Sequence, residues 1–478
     1  MKRLAALLGV VVATLTCARN PATGARELML ISEGQEIAIG RENDPQIVAQ
    51  MGLVPDSGVQ RYVSGLGMAL ARASERPSLP WTFRVLDDPV VNAFALPGGF
   101  IYVTRGIMEH LNSEAELVAV LGHEVGHVTA RHSAAQMSKA QLANLGLVAG
   151  VIIEPGFAQY AQTASQGLGL LFLKFGRDDE RQADELGLRY MRRTNYDARQ
   201  MPQVFTLLAR VSAATPGDRV PTWLSSHPDP DDRRGRIERA IAAVPADSLG
   251  RTINRPSYLQ HLDGLVYGPN PREGFFRGTE FNHPDLAFRI TFPAGWTTVN
   301  QRQVVGAMSP QQDGAIQVSI EDKAASPEAA AQKFFTQQGL FGRPAAGTVS
   351  GFPAQSGEFS VQTQNGYIGG YAAFLSYGGA VYRIIGYAPA TRWSQHGPTV
   401  LRTLDTFQRL SDPVMLRVQP QRVTLVTLPR AMTLAEFAAA YPGPVALAEL
   451  ARLNNVDEGA RFAAGDRVKR VVGEKLPT

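Results

Sequence analysis

The chain has 478 residues, of which 44% are hydrophobic and 19% are charged, so it is long and apolar enough for two or three globular domains. Its formal net charge of +4 is small for this length, and no basic run indicates a nucleic-acid-binding protein. The only cysteine, Cys17, excludes an intramolecular disulfide framework.

The first 17 residues, MKRLAALLGVVVATLTC, have the pattern of an export signal. Two early cations precede an apolar run that ends at Cys17. The segment resembles a bacterial lipoprotein signal, which predicts a periplasmic protein anchored to the outer membrane through an acylated Cys17. Because Thr14 and Thr16 depart from that pattern, ordinary signal cleavage nearby, for example after Ala18, stays an alternative. No later apolar run reaches 18 residues, so the sequence predicts no transmembrane helix.

A predicted helix after Ser113 carries the sequence HEVGH. Glu116 follows Ser113 by three residues, which is a capping-box pattern for a helix start. His123 and His127 are four residues apart and share one face of the helix, where two neutral imidazoles can bind Zn²⁺. Glu124 is rotated off that face but is near enough to contact a metal-bound water as a general base.

The alternative interpretation of this helix is a pair of satisfied core histidines. Gly122 and Gly126 lower its stability by roughly 1 kcal/mol each relative to alanine. Close packing or a close approach of substrate would explain two glycines in a helix, and both favour the metal site.

A second predicted helix, GRDDERQADELGLRYMRR (176–193), offers a third ligand. Glu180 and Asp184 lie four residues apart on one face. Glu180 can bind the metal while Asp184 orients His123 by accepting its other ring N–H. By itself this helix reads as a solvated acidic N-terminus that suits the helix dipole.

Together these motifs resemble the gluzincin metallopeptidase family of the CAAX prenyl endopeptidases, HtpX and the BepA-like periplasmic proteases. The similarity is greatest to the soluble BepA-like branch and covers about residues 20–245. It implies a mainly α-helical, zincin-type (α+β) peptidase domain with one Zn²⁺ per chain. The implied zinc ligands are His123, His127 and Glu180, and the implied general base is Glu124. The motifs that carry the resemblance are NPATGARELMLISEGQEIAIG (20–40), NAFALPGGFIYVTRG (92–106), HEVGH (123–127), ERQAD (180–184) and SSHPDPDDRRGRI (225–237).

The same resemblance implies roles for residues outside the two helices. His227 matches a histidine that reaches the metal centre, where it either occupies the fourth ligand position at rest or stabilises the reacting oxyanion. Arg233 would support the helix of Glu180 and Asp184. His132 falls about 140° round the helix from His127, which predicts a surface residue. A predicted strand would bind polypeptide substrate as an added strand. Its residues are Asn92, Ala93, Phe94, Ala95 and Leu96.

Two apolar stretches, 142–153 and 167–175, lie between the predicted metal helices. They predict either core helices or a mobile flap over the site.

Further along the chain the composition changes. Turn-rich segments predict a linker over 246–279, followed by an α+β accessory domain over 280–410 with a hairpin that turns at Gly378-Gly379. This domain is predicted to bind substrate or a partner, with a purely architectural role as the alternative.

The last predicted module, 415–475, has the order strand, helix, helix, strand. It resembles a LysM-like module, with Thr433-Leu434, Asn454 and Gly465 at matching places, but Ala431-Met432 replaces the usual Gly-Asp pair. The resemblance implies peptidoglycan binding, and a degenerate packing module is the alternative.

The predicted function is that of a zinc endopeptidase of the bacterial cell envelope, which hydrolyses misfolded or unassembled envelope proteins with a metal-activated water and Glu124 as base. The alternative is an envelope chaperone or assembly factor with a latched, mainly structural zinc site.

Overall fold

The computed structural model describes residues 17–144, 175–214, 227, 230–321, 326–363 and 366–476. They form two compact units. The first unit contains the described residues up to Gly268 together with Arg422–Gly473, and the second contains Pro269–Gln421 with the short stretch after Gly473. Among the described residues, no helix is both long and apolar enough to cross a membrane. The predicted signal segment before Cys17 and the apolar stretch 145–174 lie outside the described residues.

The first unit is mainly helical up to Gly268. Its helices are α1 (Glu33–Met51), α2 (Ser57–Ala73), α3 (Arg105–His110), α4 (Glu114–Thr129), α5 (His132–Asn144), α6 (Arg177–Arg193), α7 (Met201–Ala214), α8 (Pro230–Ala242) and α9 (Arg255–Leu262). Its strands are β1 (Cys17–Arg19), β2 (Arg26–Leu28), β3 (Thr82–Leu86), β4 (Ala93–Leu96) and β5 (Phe100–Thr104). β1 pairs with β2, and the other three form a sheet in the order β3-β5-β4, with β4 antiparallel at one edge.

The predicted start of the HEVGH helix is confirmed. The Ser113 hydroxyl accepts a hydrogen bond from the backbone N–H of Glu116, and α4 begins at the next residue, Glu114. The Glu116 carboxylate accepts from the backbone N–H of Asn112, one residue before the predicted partner. Every residue of α4 is buried, so the helix runs through the core of the unit.

The two glycines of α4 allow α6 to pack against it. A Cβ added at Gly122 would lie 3.3 Å from the Cα of Gly187, and one added at Gly126 would lie 2.9 Å from the carbonyl oxygen of Ala183. Two helices this close leave no room for larger side chains. The close-packing explanation for the glycines is therefore confirmed, and this contact brings the acidic residues of α6 beside the histidines of α4.

The second unit is rich in strands. Its strands are β6 (Phe275–Arg277), β7 (Glu280–His283), β8 (Phe288–Thr291), β9 (Thr297–Gln301), β10 (Val304–Met308), β11 (Ala315–Ile320), β12 (Leu340–Gly342), β13 (Ala345–Val349), β14 (Phe352–Thr363), β15 (Gly366–Tyr377), β16 (Ala380–Pro389) and β17 (Gln408–Arg409). Its helices are α10 (Pro327–Phe335), α11 (Ala390–Leu404) and α12 (Pro413–Arg417). One sheet has the order β12-β14-β15-β16-β11-β10-β9, with β13 also on β14, and a smaller sheet has the order β17-β8-β7-β6. The predicted hairpin turn at Gly378-Gly379 is confirmed, and both residues have positive φ, which glycine adopts without strain.

The C-terminal segment returns to the first unit. Its elements are β18 (Arg422–Thr427), β19 (Met432–Thr433), α13 (Leu434–Ala440), α14 (Leu447–Leu453), β20 (Arg461–Phe462) and β21 (Arg467–Val472), and β18 pairs with β21. The predicted order of strand, helix, helix and strand is present. The Asn454 side chain is buried and hydrogen-bonds the backbone N–H and C=O of Lys469, which ties the second helix to the last strand.

A buried lysine joins this segment to the rest of the first unit. The Lys469 ammonium donates hydrogen bonds to the carbonyl oxygens of Glu109, at 2.7 Å, and Leu111, at 2.8 Å. These carbonyls lie directly before α4. Residues 422–473 are therefore packed into the helical unit, whereas the sequence predicts a separate module over 415–475.

The predicted linker over 246–279 also differs from the structure. Its residues 255–262 form α9, whose Tyr258, Leu259 and Leu262 are fully buried in the core of the first unit. The helix is short and turn-rich residues flank it, so the sequence gives it a linker-like composition. Pro256 adds to this impression, although proline is tolerated in the first turn of a helix.

Candidate metal centre

Four side chains converge at the contact between α4 and α6. They are His123, His127, Glu180 and His227, and each offers one ligand atom so that all four atoms lie within 4.8 Å of one another. All four residues are buried. The structure therefore brings together the three predicted zinc ligands and the histidine predicted to reach the metal centre.

The spacing of these atoms fits one small cation. The Nε2 atoms of His123 and His127 are 3.0 Å apart. Nε2 of His123 lies 3.5 Å from Oε2 of Glu180, and Nε2 of His127 lies 3.3 Å from Oε1 of Glu180. Four tetrahedral ligands at the usual Zn²⁺ distances lie roughly 3.3–3.4 Å from each other. Zn²⁺ also prefers the ligand types present here, which are three imidazoles and one carboxylate.

Glu124 lies beside this cluster and is not part of it. Its carboxylate is buried, and neither oxygen has a hydrogen-bond partner within the described part of the chain. Its Oε1 is 3.8 Å from Nε2 of His227. Burial raises the pKa of Glu124 to about 7. A carboxyl group with such a pKa can both take up and release a proton near neutral pH.

Asp184 and Arg233 orient the ring of His123 from its Nδ1 side. Oδ1 of Asp184 lies 2.9 Å from Nδ1 of His123, so the Nδ1–H donates to the carboxylate and leaves Nε2 free to face the cluster. Arg233 donates to both oxygens of Asp184, at 2.8 and 2.6 Å. Burial alone would raise the pKa of Asp184, but Arg233 and His123 lower it to about 2.

Arg233 also fixes the charge of the third predicted ligand. Its Nη1 lies 2.7 Å from Oε2 of Glu180, and its guanidinium stacks over the ring of Phe205. Burial alone would raise the pKa of Glu180, but His227 and Arg233 hold it well below its usual value. Burial, with Arg233 next, lowers the pKa of His123 to about 3. The cluster therefore combines an ionised carboxylate with a neutral imidazole, which are the protonation states of metal ligands.

His227 is placed inside the cluster and not at its rim. Its Nδ1 lies 2.8 Å from Oε1 of Glu180 and 3.2 Å from Nε2 of His123. This atom is therefore in reach of the same cation as the other three.

The predicted substrate strand lies at the edge of its sheet. β4 contains four of the five predicted residues, pairs only with β5 among the described strands, and packs against α4. Ala93, Phe94 and Leu96 are buried, and Ala95 is partly exposed. Asn92 precedes the strand, and its backbone N–H donates to the hydroxyl of Thr104. Cys17 is the first residue of β1.

The prediction that His132 is a surface residue is wrong. His132 is only 3% exposed, and its Nδ1 lies 3.0 Å from Nδ1 of His127. The prediction assumes one continuous helix, but α4 ends at Thr129 and Arg131 adopts a left-handed φ of 62°. This break turns His132 back towards His127.

The long-range contacts that hold Arg131 are not visible in the local sequence. Its guanidinium hydrogen-bonds Glu36 and donates to the carbonyl of Ile31 at 2.7 Å. Glu36 also accepts from Arg76, which in turn donates to the carbonyl of Val128 near the end of α4. These contacts offset the roughly 1–3 kcal/mol that a non-glycine residue loses in this conformation.

Known proteins match the part of the chain that contains these residues. Residues 58–241 match Peptidase family M48. The matched M48 region contains the whole cluster, including His227 and Arg233. It ends before the accessory strands of the second unit begin.

Several curated proteins resemble the same part of the chain. The putative beta-barrel assembly-enhancing protease of Vibrio cholerae is 32% identical over 190 residues, which is 38% of this chain and 39% of that protein. Mitochondrial metalloendopeptidase OMA1 of Arabidopsis thaliana is 32% identical over 204 residues, 42% of this chain and 40% of that protein. The beta-barrel assembly-enhancing protease of Escherichia coli (strain K12) is 27% identical over 213 residues, 42% of this chain and 43% of that protein.

The chain thus spans about two fifths of the length of these relatives. The matched family is a peptidase family, and the relatives named above are proteases or metalloendopeptidases. Among solved structures, a cyanobacterial PsbP from Synechocystis sp. PCC 6803 matches 28% of this chain and 94% of that chain, at 14% identity and a TM-score of 0.23. A score this low does not establish a shared fold.

Proposed function

We propose that the chain is a zinc-dependent endopeptidase of the bacterial cell envelope that cleaves misfolded or unassembled envelope proteins. The observation that carries this proposal is the carboxylate of Glu124, which is buried beside the ligand cluster with neither oxygen hydrogen-bonded to a described residue. A structural zinc site has no use for such a group, whereas hydrolysis needs one to move a proton.

The residues of the cluster divide the work. A Zn²⁺ held by His123, His127 and Glu180 would act as a Lewis acid and make water acidic enough to ionise near neutral pH. Glu124 would take the proton of the attacking water on a carboxylate oxygen and deliver it to the leaving amine. Asp184 fixes the ring of His123 so that its Nε2 stays directed into the cluster.

The proposed substrate class follows from the edge strand. An extended segment could pair with the edge of β4 that has no partner among the described strands, through backbone hydrogen bonds, which read conformation more than side-chain identity. Folded proteins rarely offer a free extended segment. Unfolded or unassembled proteins do, and two of the relatives are named beta-barrel assembly-enhancing proteases.

The proposed location rests on the sequence pattern and on these relatives. The export signal would deliver the chain to the periplasm, and acylation of Cys17 would anchor it to the outer membrane. The LysM-like pattern of 415–475 supports contact with peptidoglycan, and the accessory region over 280–410 would bind substrate or a partner.

Metal removal tests the proposed activity. The purified chain should degrade unfolded casein, lose that activity when Zn²⁺ is stripped by a chelator, and regain it when about one equivalent of Zn²⁺ per chain is returned. Mg²⁺ added in place of Zn²⁺ is the matched control and should restore nothing, because the imidazole ligands suit Zn²⁺. Casein cleavage that is unaffected by metal removal would contradict the proposal.

Casein cleavage and the aggregation of an unfolded protein, measured on the same zinc-loaded chain, distinguish the protease from the alternative function. An assembly factor with a structural zinc site would suppress the aggregation of an unfolded protein without cleaving it. A zinc-loaded chain that leaves casein intact while suppressing aggregation would favour this alternative.

His227 is proposed to hold the site inactive at rest. A catalytic zinc site keeps one position open for water. In the structure Nδ1 of His227 lies among the ligand atoms of that cluster, where it would fill this position. The other proposed role, stabilisation of the reacting oxyanion, would place the imidazole near the substrate carbonyl.

His227→Ala distinguishes the two roles. Removal of a resting ligand should raise the initial rate of casein cleavage at unchanged zinc content, whereas loss of an oxyanion donor should slow turnover about 100–1000-fold. We expect the faster rate. His261→Ala, which removes a half-buried histidine that stacks on Tyr62, is the matched control and should cleave like wild type. A rate at least tenfold below wild type would contradict the latch.

A further inference from the structure

We propose that His132 is a positioning residue that orients the metal ligand His127, through a directed chain of hydrogen bonds that begins at Asn20. The inference rests on the zinc site proposed above. It assigns to His127 a partner that differs from the carboxylate partner of His123.

The first step fixes the orientation of Asn20. Its Oδ1 accepts a hydrogen bond from the backbone N–H of Ala22 at 2.9 Å, so the other atom of the amide must be the NH₂ group. That group donates to Glu27, at 2.8 Å, and to Oε1 of Gln182, at 3.2 Å. Asn20 is fully buried, which shields its amide from solvent.

The second step fixes the proton on His132. Gln182 presents its oxygen to Asn20, and the same Oε1 lies 2.8 Å from Nε2 of His132. An amide oxygen only accepts, so the Nε2 of His132 must carry a proton. Asp179 also faces this nitrogen, but at 3.9 Å its carboxylate is beyond hydrogen-bond distance.

The third step assigns the donor and the acceptor in the hydrogen bond between His132 and the metal ligand His127. In a neutral imidazole with a proton on Nε2, Nδ1 is an acceptor. Nδ1 of His132 therefore accepts from Nδ1–H of His127 across 3.0 Å. With its proton on Nδ1, His127 keeps the lone pair on Nε2, the atom that lies 3.0 Å from Nε2 of His123 inside the cluster.

Packing holds the two rings in this relation. Their centroids are 4.9 Å apart and their planes meet at 76°, which points the edge of one ring at the other. The ring of Phe175 covers His127 at a centroid distance of 4.1 Å and contacts His132 at 6.1 Å. The left-handed Arg131, one residue earlier, sets the start of α5 so that His132 faces the cluster.

Zinc affinity tests the proposal without reference to catalysis. His132→Leu removes the acceptor and should weaken Zn²⁺ binding about 10–100-fold, the usual effect of losing a partner of a metal-bound histidine. His132→Asn places an amide oxygen near the position of Nδ1 and should lose less than about tenfold. The measurement is competition for Zn²⁺ with a chromophoric chelator, on the full chain and together with the unfolding midpoint of the metal-free protein.

The rescue separates positioning from simple packing. If His132 only filled space, His132→Asn would be at least as harmful as His132→Leu, and that result would overturn the proposal. Wild-type zinc affinity in His132→Leu would overturn it as well. Should His132→Leu fail to fold, Gln182→Leu decides, because it keeps the histidine but removes the acceptor that fixes its proton; an unchanged zinc affinity in that variant counts against the chain of hydrogen bonds.

The outcome is independent of the proposed protease activity. A chain that binds zinc through His132-dependent positioning but never cleaves casein would refute the protease proposal alone. Normal cleavage by wild type, with no effect of His132→Leu on zinc affinity, would refute the positioning role alone.

Discussion

Replacement of Glu124 by glutamine is expected to slow casein cleavage by about 100–10,000-fold, the usual contribution of a positioned general base. Zinc binding should survive, because Glu124 is not among the four residues whose ligand atoms converge. Glutamine has nearly the same volume as glutamate, and neither oxygen of Glu124 is hydrogen-bonded within the described residues, so the fold should be retained. The amide cannot take up the proton of the attacking water.

Glu185→Gln is the matched control for this variant. Glu185 is an exposed residue of α6, so the same chemical change there should leave cleavage at the wild-type rate. Undiminished cleavage by Glu124→Gln would remove Glu124 from the reaction and, with it, the observation on which the proposed function rests.

Replacement of Glu180 by alanine is expected to abolish both stoichiometric zinc binding and cleavage. The substitution removes the only carboxylate of the cluster and the negative charge that offsets the cation. It also takes from Arg233 a buried carboxylate contact, so the metal-free chain should lose stability as well. Zinc content of the purified variant and its unfolding midpoint measure the two effects separately.

Asp184→Ala provides the comparison one helical turn away. Asp184 binds the ring of His123 and Arg233 but is not itself a predicted ligand, so its loss should weaken zinc affinity only about 10–100-fold. Zinc binding by Glu180→Ala as tight as that of wild type would show that the third ligand is misassigned. A weaker effect for Glu180→Ala than for Asp184→Ala would exchange the two roles.

The zinc helix is predictable because its information is local. A cap at Ser113, two histidines on one helical face and two glycines all lie within 15 residues. The metal-binding role of the second helix can be predicted only together with the first helix, because Glu180 and Asp184 alone resemble an ordinary acidic helix start. Their place beside the histidines depends on the close packing of α6 against Gly122 and Gly126.

The partner of His127 is not predictable in this way. Helical periodicity places His132 on the surface only if the helix continues through Arg131. The break is held by Glu36 and Ile31, about 100 residues earlier in the chain. A non-glycine residue with positive φ has no reliable sequence signal, because long-range contacts and not local preference maintain it.

The place of the C-terminal segment is likewise a long-range result. Lys469 lies in the strand RVKRVV, which reads as an ordinary solvated strand. In the structure its ammonium is buried and bound to the carbonyls of Glu109 and Leu111, some 360 residues earlier. The order of strand, helix, helix and strand follows from local pattern, but the docking of that segment onto the first unit does not.

The central claim is that one buried zinc and Glu124 together hydrolyse peptide bonds. It is tested most directly by measuring zinc content and the initial rate of casein cleavage on the same preparations of wild type and Glu124→Gln. We expect about one zinc per chain in both proteins and an initial cleavage rate at least about 100-fold lower in Glu124→Gln than in wild type. Equal cleavage rates at equal zinc content, or an active wild type that holds no zinc, would contradict the claim.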